Sequence, residues 1–174
     1  MSEFLNPKSF VFVLSPILSL VLNGFLPNAI KEFLVFWKIK DRLPGCKAFS
    51  KFAVSDYRVD VKTLKIKVGE FPETPRDQNR VWYKLYIDLQ DNEVVQGSHR
   101  DFLLTRDLCS ISFLFAIFIF PVEVYLWEDL QTIISYTIFL LFQYIAVSLA
   151  ARNYGNRFVC NVLSIAAKEN DESS

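Results

Sequence analysis

Apolar and polar positions are distributed very unevenly along this chain. Leu108–Trp127 and Leu130–Ala151 are almost unbroken apolar runs, separated only by Glu128 and Asp129. A helix of roughly 20 apolar residues spans the ~30 Å hydrocarbon layer of a bilayer, and each run is long enough. That much continuous apolar surface is hard to bury inside a protein of 174 residues. The pattern predicts a transmembrane helical hairpin with a short acidic turn.

A third run, Phe10–Leu26, has 17 uncharged residues and contains Pro16, Asn23 and Gly24. It stands at the short limit for a span, and its proline is tolerated where neighbours satisfy the freed carbonyl. A true span and a re-entrant or interfacial segment both fit. A signal peptide is disfavoured, since no basic region precedes the run and no small-residue cleavage site follows. Next, Ile30–Ile39 interleaves Phe33, Leu34, Phe36, Trp37 and Ile39 with Lys31 and Lys38, and Lys40 follows. This reads as an interfacial helix with rings at the acyl boundary and ammonium groups on anionic headgroups. The other reading is a continuation of the first helix, packed against its neighbours.

Leu43-Pro44-Gly45 breaks the chain sharply. Beyond it, Val61, Leu64 and Val68 fall at helical spacing with Gly69 as a stop, whereas Leu64, Ile66 and Val68 alternate with lysines as in a strand. A helix is expected, because no partner strand is evident. Thr74, Pro75 and Asp77 form a helix start, and the helix should run to about Gln90 with Val81, Trp82, Leu85 and Leu89 on one face. After a turn at Asp91-Asn92, one helix is expected from Glu93 through Val95, His99, Phe102 and Arg106 into the first late span. Gly97 weakens it by about 1 kcal/mol relative to alanine.

Composition agrees with a membrane setting: 52% of residues are hydrophobic and 16% aromatic. The net charge of zero hides an asymmetry, since 15 of the 19 Lys and Arg lie in Pro27–Asp107 and none lies between the late runs. The positive-inside rule then places Pro27–Asp107 and the C-terminus in the cytoplasm and the Glu128 turn outside. Tyr125, Trp127 and Tyr136 flank that turn, as interfacial aromatics do. Cys46, Cys109 and Cys160 have no paired spacing, which argues against a disulfide framework. The expected architecture is an all-α integral membrane protein. It has an N-terminal apolar helix and interfacial helix over 1–42, a mostly helical cytoplasmic insert over 43–107, the C-terminal transmembrane helical hairpin over 108–151, and a basic-then-acidic cytoplasmic tail over 152–174.

Candidate chemistry is sparse. His99-Arg100-Asp101 matches the catalytic-loop triplet of protein kinases, but the chain lacks a Gly-rich phosphate loop, an Asp-Phe-Gly and the length for two lobes. His99 is the only histidine, and nothing in sequence aims a serine or cysteine at it. One histidine and three scattered cysteines do not make a zinc cluster. The carboxylates Asp88, Asp91 and Glu93 read as an acidic turn. No catalytic, cofactor or metal residue is assigned and no cofactor is expected. Pro27–Asp107 carries 15 basic against 12 acidic residues, too mixed a balance for nucleic acid.

Polar residues within the spans carry more information. Tyr136 and Gln143 are seven apart, and Ala150 continues the same face. A glutamine within a span favours an interhelical or intersubunit contact. Adhesion within the hairpin, association between copies and a pore lining all fit this stripe. Glu123, two residues after Pro121, is a candidate pore-mouth acid, or simply marks a helix end rising into the headgroups. Trp82, Tyr83 and Tyr86 are candidate partner-docking residues, because aromatics dominate interface hot spots; forming the insert's own core is the alternative.

Leu43-Pro44-Gly45-Cys46-Lys47-Ala48-Phe49-Ser50, Gln78-Asn79-Arg80-Val81-Trp82-Tyr83-Lys84-Leu85-Tyr86 and Arg106-Asp107, set in this layout, look like segments of bacterial membrane proteins. The chain resembles the small membrane-spanning effectors of bacterial antiphage defence systems, such as those paired with retrons or cyclic-oligonucleotide signalling. The resemblance is architectural and carries over no site residue. It implies a non-enzymatic protein of the bacterial inner membrane that forms homo-oligomers and damages the bilayer when a soluble partner or sensor engages its insert. The rival expectation is a membrane-anchored scaffold that holds a soluble partner at the bilayer.

Overall fold

The computed structural model describes residues 7–126 and 129–168, with side chains described for 14–121, 124 and 129–168. Among the described residues seven α-helices follow in chain order: α1 (Pro7–Phe25), α2 (Asn28–Phe36), α3 (Ala53–Ser55), α4 (Val61–Val68), α5 (Pro75–Asp88), α6 (Glu93–Leu126) and α7 (Leu130–Lys168). A 3-10 turn at Pro44–Lys47 and a π-helical turn at Ala48–Phe52 precede α3. No strand occurs among the described residues. Val61–Val68 is therefore the expected helix, with the Asp60 carboxylate accepting from Lys62 N and Gly69 ending it at φ +79°.

Helix starts and stops follow local chemistry. Thr74 Oγ1 accepts from Asp77 N at 3.2 Å at the start of α5. Asn92 Oδ1 accepts from Val94 N at the start of α6, and Asp129 Oδ2 accepts from Thr132 N at the start of α7. The break between α1 and α2 lies at Leu26-Pro27, since a residue before proline is disfavoured in helical conformation. Leu14–Phe25 and Asn28–Phe36 meet there at 114°, the geometry of a broken span or a re-entrant loop.

The helix expected over Ile30–Ile39 stops earlier, at Phe36. Trp37 has φ +53° and Asp41 φ +48°, left-handed conformations that end a right-handed helix. Lys31 also departs from expectation. Instead of facing outward it is buried, with its ammonium 3.2 Å from the Asp107 carboxylate. A lysine buried without a carboxylate partner would cost several kcal/mol by order of magnitude, so the pair explains its position.

The chain forms two compact units. The hairpin unit comprises Met1–Val35 and Thr105–Ala151; the insert unit comprises Phe36–Leu104 and Arg152–Ser174. The insert unit thus takes in residues 152–168, which had been expected in a tail. They continue α7 and supply Phe158, Val159, Val162, Leu163 and Ala166 to the core. Residues 169–174, the charged end of that tail, lie outside the described residues, as do Trp127 and Glu128.

In the insert unit, the 3-10 and π-helical turns, α3, α4, α5, the start of α6 and the end of α7 enclose an apolar core. Phe49, Leu64, Val95 and Leu163 are the largest of its fully buried members together with Val159 and Val162. The buried Gln78 secures the irregular turn: its Oε1 accepts from Phe49 N, Ser50 N and Ser50 Oγ at 3.1–3.2 Å. Gly45 lies so close to α5 that a Cβ there would collide with Asn79 Oδ1 and Trp82.

The hairpin unit is built the other way round. On α1 the buried side chains are Ser15, Ser19 and Asn23, while Leu14, Ile17, Leu18, Leu20 and Val21 are exposed. Ser110 of α6 and Ser148 of α7 are fully buried, whereas Ile134, Ile138, Phe139, Phe142 and Ile145 are exposed. Two helices, α6 and α7, are long and apolar enough to cross a membrane, and only 22% and 11% of their apolar windows are buried. With 39 residues, α7 extends about 58 Å at 1.5 Å per residue, well beyond one hydrocarbon layer.

Candidate functional site

Polar contacts hold the hairpin unit together where water would normally satisfy the backbone. The carbonyls at the C-terminal end of α2 have no partner within that helix. Tyr144 OH donates to Leu34 O at 2.7 Å and Ser148 Oγ donates to Val35 O at 2.9 Å. Cys109 Sγ adds a weaker contact to Leu34 O at 3.7 Å. Ser110 Oγ donates to Asn23 Oδ1, and Ser19 Oγ to Ser15 O. Arg106 joins Lys31 at Asp107, so two cations flank one carboxylate. Ser15, Ser19, Asn23, Lys31, Cys109, Ser110 and Ser148 all lie buried.

Gln143 does not. Its side chain is exposed and makes no hydrogen bond with a described residue. Ile133, Leu140, Ser148 and Ala151 are buried and Tyr144 half-buried, and they mark the side of α7 that meets the rest of the unit. Tyr136, Phe139, Gln143, Ala146 and Ala150 form a second stripe, roughly 110° away around the helix at about 100° per residue. Phe139, Gln143 and Ala146 are exposed; Tyr136 and Ala150 are half-buried. Tyr136, Gln143 and Ala150 thus share one outward stripe. Beside the inner face, a crevice of about 270 Å³ opens between Phe113, Ile117 and Phe120 of α6 and Thr137, Leu141 and Tyr144 of α7. Its walls are almost wholly apolar. Glu123, the candidate pore-mouth acid, has its backbone in α6 and a side chain outside the described residues.

The three aromatic docking candidates separate in the insert unit. Trp82 is buried, edge-on to Phe158 at 5.2 Å and stacked with Tyr86 at 6.0 Å. Tyr86 is half-buried, and burial raises its phenol pKa above the ordinary value. Tyr83 remains 53% exposed. Of the three, only Tyr83 presents most of its ring to an outside partner. His99 stacks on Phe158 at 5.0 Å and shares a 3.0 Å hydrogen bond with Tyr86 OH. That arrangement is a packed aromatic cluster. Asp88, Asp91 and Glu93 lie exposed around the turn between α5 and α6, and no group of metal-binding side chains occurs among the described residues.

Two features were not anticipated from sequence. Arg58 clasps Asp56 at 2.8 Å and reaches Asn161 at 3.0 Å. The hydrogen bonds from Arg58 hold the Asp56 carboxyl at a pKa of about 2, while burial and the adjoining Asp56 push the Cys160 thiol up to about 11. Cys160 is therefore a poor nucleophile at neutral pH. The other feature is a cavity of about 190 Å³ in the insert unit, whose wall carries Lys38, Arg42, Lys47, Lys51 and Arg152. The basic density of Lys38–Lys51 was legible; the contribution of Arg152, a hundred positions later, was not.

No protein-family model, curated protein or solved structure matches this chain.

Proposed function

We propose that this chain is a multi-pass protein of a bacterial inner membrane, without an enzymatic centre. In this reading it self-associates through the outward stripe of α7 and perturbs the bilayer when its cytoplasmic insert unit is engaged. The observation that carries the reading is Gln143, an amide within an apolar helix that the protein's own packing leaves outside. In hydrocarbon such an amide gains about 0.6–2 kcal/mol from a partner helix, and a second copy presents the same group. The small side chains of Ala146 and Ala150 favour close helix approach on that stripe. The basic residues flanking the hairpin favour an insert unit on the cytoplasmic side, and the resemblance to antiphage effectors favours bilayer damage as the outcome.

The test is expression of the wild type and Gln143→Leu at matched levels, with membrane potential and oligomer size measured together. The variant should weaken both assembly and depolarisation. Unchanged assembly with unchanged depolarisation would remove the stripe as the association surface.

A scaffold role is favoured instead by Tyr83 and Ile87, which lie four apart and exposed on α5. That reading expects no depolarisation at any expression level, together with membrane retention of a soluble protein that is lost in Tyr83→Ala.

A further inference from the structure

Five cations converge on one cavity of the insert unit. Lys38, Arg42, Lys47, Lys51 and Arg152 line it, and Asp41 is the only carboxylate on its wall among the described residues. No described carboxylate forms an ion pair with Lys38, Lys47 or Lys51. The Lys47 charge, with a smaller contribution from burial, lowers the pKa of the Lys38 ammonium. Like charges held this close repel one another, and a bound anion relieves that repulsion.

The cavity is also organised. Arg42 is fixed by donating to Ile39 O at 3.0 and 3.1 Å, and the Arg152 guanidinium lies over the Trp37 ring at 4.0 Å. Two guanidinium groups are thereby held by the protein, and three lysines with flexible stems remain to close on a ligand. The chain between α2 and the 3-10 turn reaches this arrangement through left-handed Trp37 and Asp41. Two exposed apolar side chains flank Lys38 in sequence: Ile39 is 77% exposed and Trp37, against the Arg152 guanidinium, 47% exposed. The compact cluster argues against nucleic acid, which needs an extended basic track with stacking platforms.

We propose that this cavity binds the phosphate of an anionic phospholipid headgroup, with Lys38, Lys47 and Lys51 as the closing cations and Trp37 and Ile39 against the lipid's glycerol and upper acyl chains. The phosphate chemistry follows from the cations alone. Only the choice of a lipid as its source rests on the membrane reading above.

The experiment uses the full chain purified in neutral detergent and reconstituted into nanodiscs of phosphatidylcholine with or without phosphatidylglycerol. Retained lipid is counted by native mass spectrometry. Lys38→Gln/Lys47→Gln should lower phosphatidylglycerol retention about thirtyfold relative to wild type, the scale expected for two phosphate-facing lysines. Phosphatidylcholine retention should not change. Lys62→Gln/Lys84→Gln, which removes two lysines that do not line the cavity, should leave phosphatidylglycerol retention intact. Lys38→Arg/Lys47→Arg should also retain it, which separates lost charge from lost folding. Equal loss in the two glutamine doubles, loss in the arginine double, or no loss in Lys38→Gln/Lys47→Gln would each overturn the site. Glycerol 3-phosphate is the soluble arm. If it displaces phosphatidylglycerol at equal concentration, the lipid assignment falls. Binding of glycerol 3-phosphate that depends on Lys38 and Lys47, by a protein that stays dissolved without detergent, would sink the membrane reading while leaving the phosphate site standing.

Discussion

In the hairpin unit Ser19, Ser110 and Ser148 are fully buried while Ile138 and Phe142 are 60% and 68% exposed. In the insert unit Phe49, Leu64 and Leu163 are buried while Lys51, Lys65 and Asp91 face outward. One chain therefore folds by two opposite rules. The insert unit follows the hydrophobic effect, gaining roughly 25 cal/mol for each Å² of apolar surface removed from water. The hairpin unit buries Ser19, Ser110 and Ser148 beside Val35, Ile119 and Leu140 and leaves many large apolar side chains exposed, as expected where the surrounding medium is as apolar as leucine and unsatisfied backbone groups have no water to turn to. The hydroxyls of Tyr144 and Ser148 on the end of α2 show the same logic at atomic scale. On the membrane reading proposed above, what differs between the units is the solvent that each sequence is written for.

The contrast can be tested where it is strongest. Leu163 is fully buried in the insert unit, and Leu163→Ala should destabilise that unit by about 3–4 kcal/mol, as large-to-small changes in a packed core do. Thermal unfolding followed by near-ultraviolet circular dichroism reads this directly. A shift of less than a degree would mean that residues 152–168 are not core.

A matched pair of exposed positions comes next. Phe142 on α7 and Ile66 on α4 are 68% and 82% exposed. In water both would accept lysine within about 0.5 kcal/mol. If α7 sits in lipid, Phe142→Lys costs about 2.5–3.5 kcal/mol of insertion, while Ile66→Lys stays neutral. The yield of each variant in the carbonate-resistant membrane fraction decides. Equal yields would erase the distinction between the two units.

The smallest expected effect belongs to the insert unit alone. Asp56 is held at a pKa of about 2 by Arg58, below the ordinary carboxylate value. A depressed folded pKa contributes stability above the unfolded value that disappears as the pH falls toward the folded one. Because the Arg58 side chain is 41% exposed, screening reduces this to about 1 kcal/mol. Wild-type protein should lose that amount between roughly pH 4 and pH 2. Asp56→Asn should be less stable at neutral pH and show a flatter acid limb; identical acid limbs would discard the pair as a contributor.

Much of this fold was legible in the chain. The apolar runs of α6 and α7, the Thr74 cap of α5, the Gly69 stop of α4 and the continuous helix from Glu93 each rest on local chemistry that operates within a few residues. Three readings depended on distance and went astray or were incomplete. Lys31 looked like a headgroup-facing cation because its partner Asp107 lies 76 positions away. Residues 152–168 looked like a tail because the apolar stripe Phe158, Val159, Val162 and Leu163 has charged and polar neighbours, although its spacing is helical. Trp82 offered itself as a docking residue when Phe158, at the far end of the chain, had already covered it.

The sequence by itself determined which stretches are helical, where most of them begin and end, and that two are apolar enough for lipid, since capping groups, prolines and hydropathy act locally along the chain. Tertiary structure alone decided which side of each helix faces inward: that Gln143 points out, that Lys31 points in, and that Arg152 joins Lys38 and Lys47 around one cavity. Those outcomes depend on which distant side chains meet, and a helical pattern of mixed Ser, Phe and Leu allows either face to be the inner one until its neighbours are in place.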